Sequence, residues 1–406
     1  MTTMEQTEQL TIKPTPTLGR PLLVVLALSV GTFSVVTTEM LPIGLLPLIA
    51  ADLHRSLPGT GLLVTVYAVV VLVMSLPLTL LTRRIPRRLL LGGALAVFAI
   101  STLASALAPS FGFLLVTRVV TAVSQALFWS IVVSTAVGRF PPDQRSRVVG
   151  ALFTGSSLAP VVGLPLGTWI GQQAGWRAAF LVMSAIGIAT CATVVTALPT
   201  IRPEDEPARA GQFPNVRRYV VLLVVTALAV TGTLSTYTYI AAHLVQVAGL
   251  PAGGLSAVLL LCGGLGILGA VASGTVLQRR PRLTLIVPLA IMTSALWLVQ
   301  LAGTKLAIAV LAFSLLSFAS SSFAADLAGR TLLVAPGSTD LANSGSSSAY
   351  NAGIAGGAWI GGLIVAGAGV HATALAGGLF TGAALILMLS EPWIAPDRER
   401  QARQKQ

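Results

Sequence analysis

The sequence predicts an all-α membrane protein: twelve transmembrane helices arranged as two pseudo-symmetric bundles of six. Three observations predict it. Apolar runs of spanning length recur along the whole chain, positive charge gathers on one side of them, and two short motifs repeat at nearly one separation. Of 406 residues, 54% are hydrophobic and 9% charged, against roughly 45–50% and roughly 25% in ordinary globular domains. A fold in water has nowhere to put that excess. The mean hydropathy of +0.86 belongs to many spans and not to a single anchor.

Residues 1–20 are polar and Thr-rich, with no short apolar stretch leading to a cleavage site. They read as a cytoplasmic tail, and the first span is expected to stay in the mature protein. Stretches long enough to cross about 30 Å of hydrocarbon begin near Pro21, Gly59, Leu89, Phe111, Val148 and Arg177, and again near Tyr219, Gly253, Leu283, Leu306, Leu341 and Ala372. This gives an N-terminal bundle over 21–200 and a C-terminal bundle over 219–391. Between them, 201–218 carries Pro203, Glu204, Asp205, Glu206, Pro207 and Pro214 and reads as a solvated cytoplasmic linker. Residues 392–406 form a second cytoplasmic tail.

The formal charge of +12, from 25 Lys+Arg and 13 Asp+Glu, has a topological explanation. With both termini in the cytoplasm, only Arg55, Arg177 and Lys305 fall outside and Arg118 falls within a span, while the remaining cations lie inside. That is the positive-inside bias of a multi-pass plasma-membrane protein, and it leaves no charge patch that asks for nucleic acid.

The repeats are more specific than hydropathy. After span two, Thr79-x-x-x-Arg83-Arg84-Ile85-Pro86-Arg87 aligns with Gly274-x-x-x-Gln278-Arg279-Arg280-Pro281-Arg282 after span eight. In span five, Gly163-Leu-Pro165-Leu-Gly167-Thr-Trp169-Ile170-Gly171 aligns with Gly353 to Gly361 in span eleven, sharing three glycines, a tryptophan and an isoleucine. Two tandem units of equal orientation describe a rocking transporter with its site between the halves. Small residues let helix backbones approach closely in lipid, so Gly163, Gly167 and Gly171 are expected at a close helix contact.

Charge at membrane depth costs about 2.5–3.5 kcal/mol on insertion scales, so each instance needs a reason. Two charges lie deep: Glu39 in span one and Arg118 in span four. A carboxyl group between apolar surroundings and a guanidinium is set to bind and release a proton; the alternative is a fixed ion pair joining the two helices. On span four, Gln125 and Trp129 follow Arg118 on one face. On span seven, Thr231, Ser235, Tyr239 and His243 form a polar stripe at four-residue steps. Such stripes face protein or a water-filled cavity, and Gln125 and Tyr239 are expected at the cavity. His243 lies near the outer end of its span, where a wet polar side chain is the plain reading and a titrating one the sharper. Asp326 is expected at the cytoplasmic end of span ten, and His54 and His371 in or beside outer loops.

Cys191 and Cys262 sit in apolar runs without metal or disulfide spacing. The chain carries no phosphate-cradling GxxxxGK[ST], no paired metal ligands and no nucleophile elbow. No cofactor, no metal and no enzymatic activity are expected.

The stretch Thr38-Glu39-Met40-Leu41-Pro42-Ile43-Gly44-Leu45-Leu46-Pro47, followed by Ile49-Ala50-Ala51-Asp52-Leu53, resembles the span-one pattern of the sugar-efflux branch of the drug:proton antiporters, within the major facilitator superfamily. Tyr67-Ala68, Met74-Ser75-Leu76-Pro77, Phe128-Trp129-Ser130, Gly163 to Gly167, Gly175-Trp176-Arg177 and Gly263-Gly264-x-Gly266-Ile267 extend the resemblance over most of the chain. It implies helices one, four, seven and ten around a central cavity and export of sugars or drugs against proton entry. It further implies Glu39 and Arg118 at coupling positions and matches Asn351 to an asparagine of span eleven; with the polar stripes, the substrate contacts expected are Tyr67, Gln125, Trp129, Tyr237, Tyr239, His243 and Asn351. Arg83, Arg84, Pro86, Arg87, Gly163, Pro165 and Gly167 fall on conformational motifs. Two departures fall at polar sites: Gln125 stands where the branch has histidine, and Ala241-Ala242 where it has Glu-Pro, so coupling concentrates on Glu39. The loop after span two also lacks the superfamily's usual Asp and Gly.

The resulting expectation is a proton-coupled exporter of a sugar, nucleoside or drug-like molecule, working by alternating access with Glu39 as proton carrier. The chain is expected to act as a monomer whose partners are the bilayer, protons and a small-molecule substrate. A proton-independent facilitator, an uptake symporter and a transport-inactive sensor remain the alternatives.

Overall fold

In the computed structural model, residues 19–82, 85–137, 145–198, 215–275, 283–336 and 339–394 are described. The expected tails, most of the linker, Arg83 and Arg84, and the Gln278–Arg282 repeat segment lie outside them. Twelve helices among the described residues are long and apolar enough to cross a membrane. In chain order they are α1 (Gly19–Asp52), α2 (Leu57–Thr82), α3 (Arg87–Ala106), α4 (Phe111–Val137), a three-part α5, α6 (Trp176–Ala197), a three-part α7, α8 (Leu255–Thr275), α9 (Leu283–Ala302), α10 (Leu306–Val334), α11 (Thr339–Ala368) and α12 (Thr373–Ile394). Each begins within three residues of the expected start. Helices are the solution here because lipid offers the backbone no hydrogen-bond partner, so every N–H and C=O must be satisfied along the segment itself.

The two broken helices carry the irregular geometry. The fifth runs as Arg145–Leu158, a π-turn at Ala159–Gly163, and Leu164–Ala174; Pro160 and Pro165 remove two helix donors, and the wider turn absorbs the mismatch. The seventh runs Val216–Tyr237, breaks at Thr238 and Tyr239, and resumes as Ile240–Ala242 and a π-turn at His243–Val247.

Packing repeats between the halves. Helix α1 packs on α5 and α6 as α7 packs on α11 and α12; α4 packs on α2 and α3 as α10 packs on α8 and α9; α3 meets α6 as α9 meets α12. Across the seam, α2 meets α11 as α8 meets α5. The glycines explain the closest of these contacts. A side chain at Gly163, Gly167 or Gly171 would run into Thr37, Leu41 or Leu45 of α1. The repeat partners Gly353, Gly357 and Gly361 stand in the same way against Val230, the Thr231 carbonyl and the Ser235 carbonyl of α7.

The start of α1 and the end of α12 lie on one face of the bundle, here the terminal face; the other is the distal face. The halves are packed together toward the distal face. Leu46 and Leu57 join Tyr239, Ala242, Val247, Val365 and Val370 in one cluster, and Gly362 of α11 abuts Pro58 at the start of α2. Nearer mid-depth, Gly263 of α8 sits directly on the α5 π-turn at Pro160 and Val161.

Candidate functional site

Pro42 has no N–H, so the carbonyl four residues earlier, that of Thr38, loses its helical donor. The Arg118 guanidinium takes that place: Nη1 donates to the Thr38 carbonyl at 2.8 Å and Nη2 to the Glu39 carbonyl at 3.1 Å. Arg118 is fully buried, and its guanidinium carbon lies 4.1 Å from the centre of the Tyr67 ring. Main-chain dipoles and a π face thus hold the cation, and among the described residues no carboxylate lies within ion-pair distance of it.

Glu39 turns its carboxylate elsewhere. Its Oε2 accepts a hydrogen bond from the Gln125 amide at 2.6 Å, and Gln125 in turn accepts from the Tyr67 hydroxyl at 2.5 Å. Tyr67 and Gln125 are buried while Glu39 is half-buried. A charged acceptor fed by an amide makes a strong hydrogen bond. The fixed ion pair, one of two sequence readings of Glu39 and Arg118, is therefore not formed in this structure: the proline-exposed carbonyl competes for the guanidinium, and Gln125 serves the acid.

The C-terminal half contributes Tyr350, whose hydroxyl on α11 lies within electrostatic reach of Glu39. Sequence reasoning named its neighbour Asn351 and passed over Tyr350, although an aromatic in a Ser- and Gly-rich span was a visible signal. Asn351 is half-buried and donates to the Ser347 carbonyl one turn back. Trp129 is half-buried, edge-on to Phe128 with centroids 6.2 Å apart. Tyr237 is half-buried and accepts a long hydrogen bond from Ser317 of α10 at 3.5 Å.

The polar stripe of α7 lies elsewhere than expected. Thr231, Ser235 and Tyr239 face the glycines of α11, so the stripe is a packing seam. Tyr239 is fully buried, its hydroxyl between Gly61 and Gly362 and donating to the Ala358 carbonyl at 3.3 Å. The reason is steric: the glycine ladder leaves room for the tyrosine ring, and its hydroxyl finds a main-chain acceptor there. His243 is not wet. It is fully buried, with Nε2 3.2 Å from the Gly303 carbonyl and its ring against Phe313 and His371.

The other motif residues make structural contacts away from this centre. Pro86 caps α3 with an extended backbone, and Arg87 opens that helix. Asp52, closing α1, accepts from Trp176 at 3.0 Å and from Arg177 at 2.5 Å, so two motifs far apart in sequence meet on the distal face. Asp326 is half-buried and accepts from Ser273 at 2.6 Å. No group of three or more metal-ligating side chains occurs among the described residues.

Comparisons with known proteins agree with this architecture. Residues 28–335 match the family description Major Facilitator Superfamily. A Bacillus subtilis protein described as an uncharacterized MFS-type transporter, YtbD, is 35% identical over 369 residues, which cover 89% of this chain and 93% of that protein. Among solved structures, a bacterial homolog of the human lysosomal transporter Spinster, in inward-facing and unoccupied form, superposes with a TM-score of 0.68 at 17% identity, covering 93% of this chain and 96% of that one. The human organic anion transporter MFSD10 (TETRAN) gives a TM-score of 0.65 at 16% identity, over 92% of this chain and 100% of that one.

Proposed function

The chain belongs to the Major Facilitator Superfamily and is a multi-pass membrane transporter, and from that premise we propose that it exports a small molecule in exchange for protons, with Glu39 as the proton carrier. The observation that carries this reading is the setting of Glu39. Its carboxylate turns into the bundle toward Gln125, on a residue that is half-buried and not sealed, and lies near the seam where Tyr350 of the other half approaches. A group that must load and unload protons as two halves rock needs a water path and a neighbour that moves relative to it, and this position has the makings of both.

We place the protein in the plasma membrane with both termini cytoplasmic, on the strength of the positive-inside bias. In that orientation the distal seal closes the outside, and Glu39 awaits substrate from the cytoplasm. The substrate meets Trp129, Tyr237, Tyr350 and Asn351 on the cavity side, while Tyr239 and His243 belong to the closure. Arg118 anchors α4 to α1 and keeps a positive field beside the carrier. The loop residues Arg83, Arg84, Pro86 and Arg87 and the glycines Gly163 and Gly167, with Pro165, serve the rocking. One chain holds both halves of the seam, so a monomer suffices. One proton moving inward releases about 2.3 kcal/mol per 100 mV, enough for roughly a fifty-fold gradient.

The test is reconstitution in vesicles with an imposed pH gradient, comparing wild type with Glu39→Gln across a panel of sugars, nucleosides and drug-like cations. Uphill export is expected from wild type alone, with substrate exchange at zero gradient surviving in the variant. Equal uphill export by both proteins would remove Glu39 as carrier and return the reading to another coupling group.

A further inference from the structure

Helices α3 and α6 pack against each other and expose a stripe of large apolar residues to the bilayer, among them Leu89, Ile100, Ile188 and Val195. Near the terminal face this surface opens into a groove of about 290 Å³ lined by Arg88, Leu89, Gly92, Gly93 and Val195. The groove exists because two consecutive residues lack side chains. At Gly93 nothing lies within 4 Å of where a side chain would begin. At Gly92 the helices touch instead, with Val195 beneath, and Cys191 of α6 closes the floor by donating to the Gly92 carbonyl at 3.4 Å.

One end of the groove is charged. Arg88 is half-buried, and among the described residues its guanidinium has neither a carboxylate in ion-pair range nor a hydrogen-bond acceptor; Arg87 beside it is likewise unpartnered. From Arg88 to Gly93 the helix rises about 7.5 Å, so a cation with no partner among the described residues stands at the mouth of an apolar slot that runs into the membrane. A guanidinium at the membrane edge seeks an anion, and a slot in a lipid-facing surface is filled by hydrocarbon. We propose that this groove binds an anionic phospholipid, with the phosphate on Arg88 and the upper segment of one acyl chain over Gly93. Charge complementarity and the slot's position select a lipid over a soluble anion, which has no use for the apolar floor.

The experiment is native mass spectrometry of the full-length protein in detergent, equilibrated with equimolar phosphatidylglycerol and phosphatidylcholine of matched chains. Wild type is expected to retain phosphatidylglycerol about fivefold over phosphatidylcholine, from one well-placed arginine. Arg88→Gln should bring the ratio close to one. Gly93→Leu fills the slot without a clash and should lower retention of both lipids, while Arg217→Gln, an exposed arginine on the same face, should leave the ratio unchanged. Melting temperatures of the variants confirm that each is folded. Equal retention of the two lipids by wild type, an unchanged ratio in Arg88→Gln, an unchanged occupancy in Gly93→Leu, or an equal loss in Arg217→Gln would each overturn the proposal.

Discussion

The Glu39 carboxylate takes its hydrogen bond from the amide of Gln125 at 2.6 Å, while Arg118, two turns before Gln125 on the same helix, binds the main chain of α1 and makes no hydrogen bond to the acid. The two groups on α4 divide the work: Arg118 fixes helix to helix, and Gln125 tends the titratable group. A hydrogen bond to a charged group contributes about 1.5–3 kcal/mol. Gln125→Leu is therefore expected to reduce gradient-driven flux about tenfold or more. In a double-mutant cycle with Glu39→Gln the losses of folding stability should fall short of additivity by about 1 kcal/mol, since residues in direct contact couple. Proteoliposome flux at fixed gradient measures the first effect and unfolding in detergent the second.

Arg118→Lys is not a conservative change here. A lysine cannot fork to two carbonyls or lie flat on the Tyr67 ring. The variant is expected to melt well below wild type and to lose transport, and lysine should do no better than methionine at this position. Thermal unfolding in detergent, followed alongside flux, reads the result.

The two glycine ladders differ in what blocks a methyl group, and this predicts an asymmetry. At Gly167 the obstacle is the tip of the Leu41 side chain, which can turn away; at Gly357 it is the Thr231 main-chain carbonyl, 2.6 Å from the added carbon, which cannot. Overpacking costs typically about 1–3 kcal/mol. Gly357→Ala should sit at the upper end and Gly167→Ala near zero, so their melting temperatures should separate in that order.

Two acidic residues at opposite ends of the bundle should behave differently on neutralisation. Asp52 meets Arg177 with both side chains more than a third exposed, and Asp52→Asn is expected to cost less than about 1 kcal/mol. Glu391 is buried and receives two hydrogen bonds from Arg330, at 2.7 and 2.8 Å, with Arg218 at 3.9 Å. Glu391→Gln takes a buried carboxylate away from two half-buried arginines and is expected to cost more, about 3 kcal/mol. Parallel denaturation of the two variants distinguishes the cases.

The span count and the places where spans begin could be read from the chain because lipid imposes a one-dimensional rule, enough apolar length ended by polar loops, and the duplicated architecture because two motifs recur in both halves. Glu39 and Arg118 were legible for the same reason, since a charge at depth stands out against 54% hydrophobic residues. Their relationship was not. Pro42 lies three residues from Glu39, and its consequence, an unclaimed carbonyl, can be deduced from the sequence; that Arg118 would be the group to claim it depends on how α4 leans on α1. Tyr239 and the α7 stripe show the opposite limit. Four-residue spacing places residues on one face but does not say whether that face meets water or another helix.

By itself, the sequence determined that the chain lives in a bilayer and which side chains are costly enough at depth to need a purpose, because both follow from transfer free energies summed along the chain; its repeated motifs pointed to two copied halves. Only the tertiary structure decided which partner each costly group receives. Hydrogen bonds hold over about 3 Å, and that proximity is set by how helices remote in sequence pack against one another.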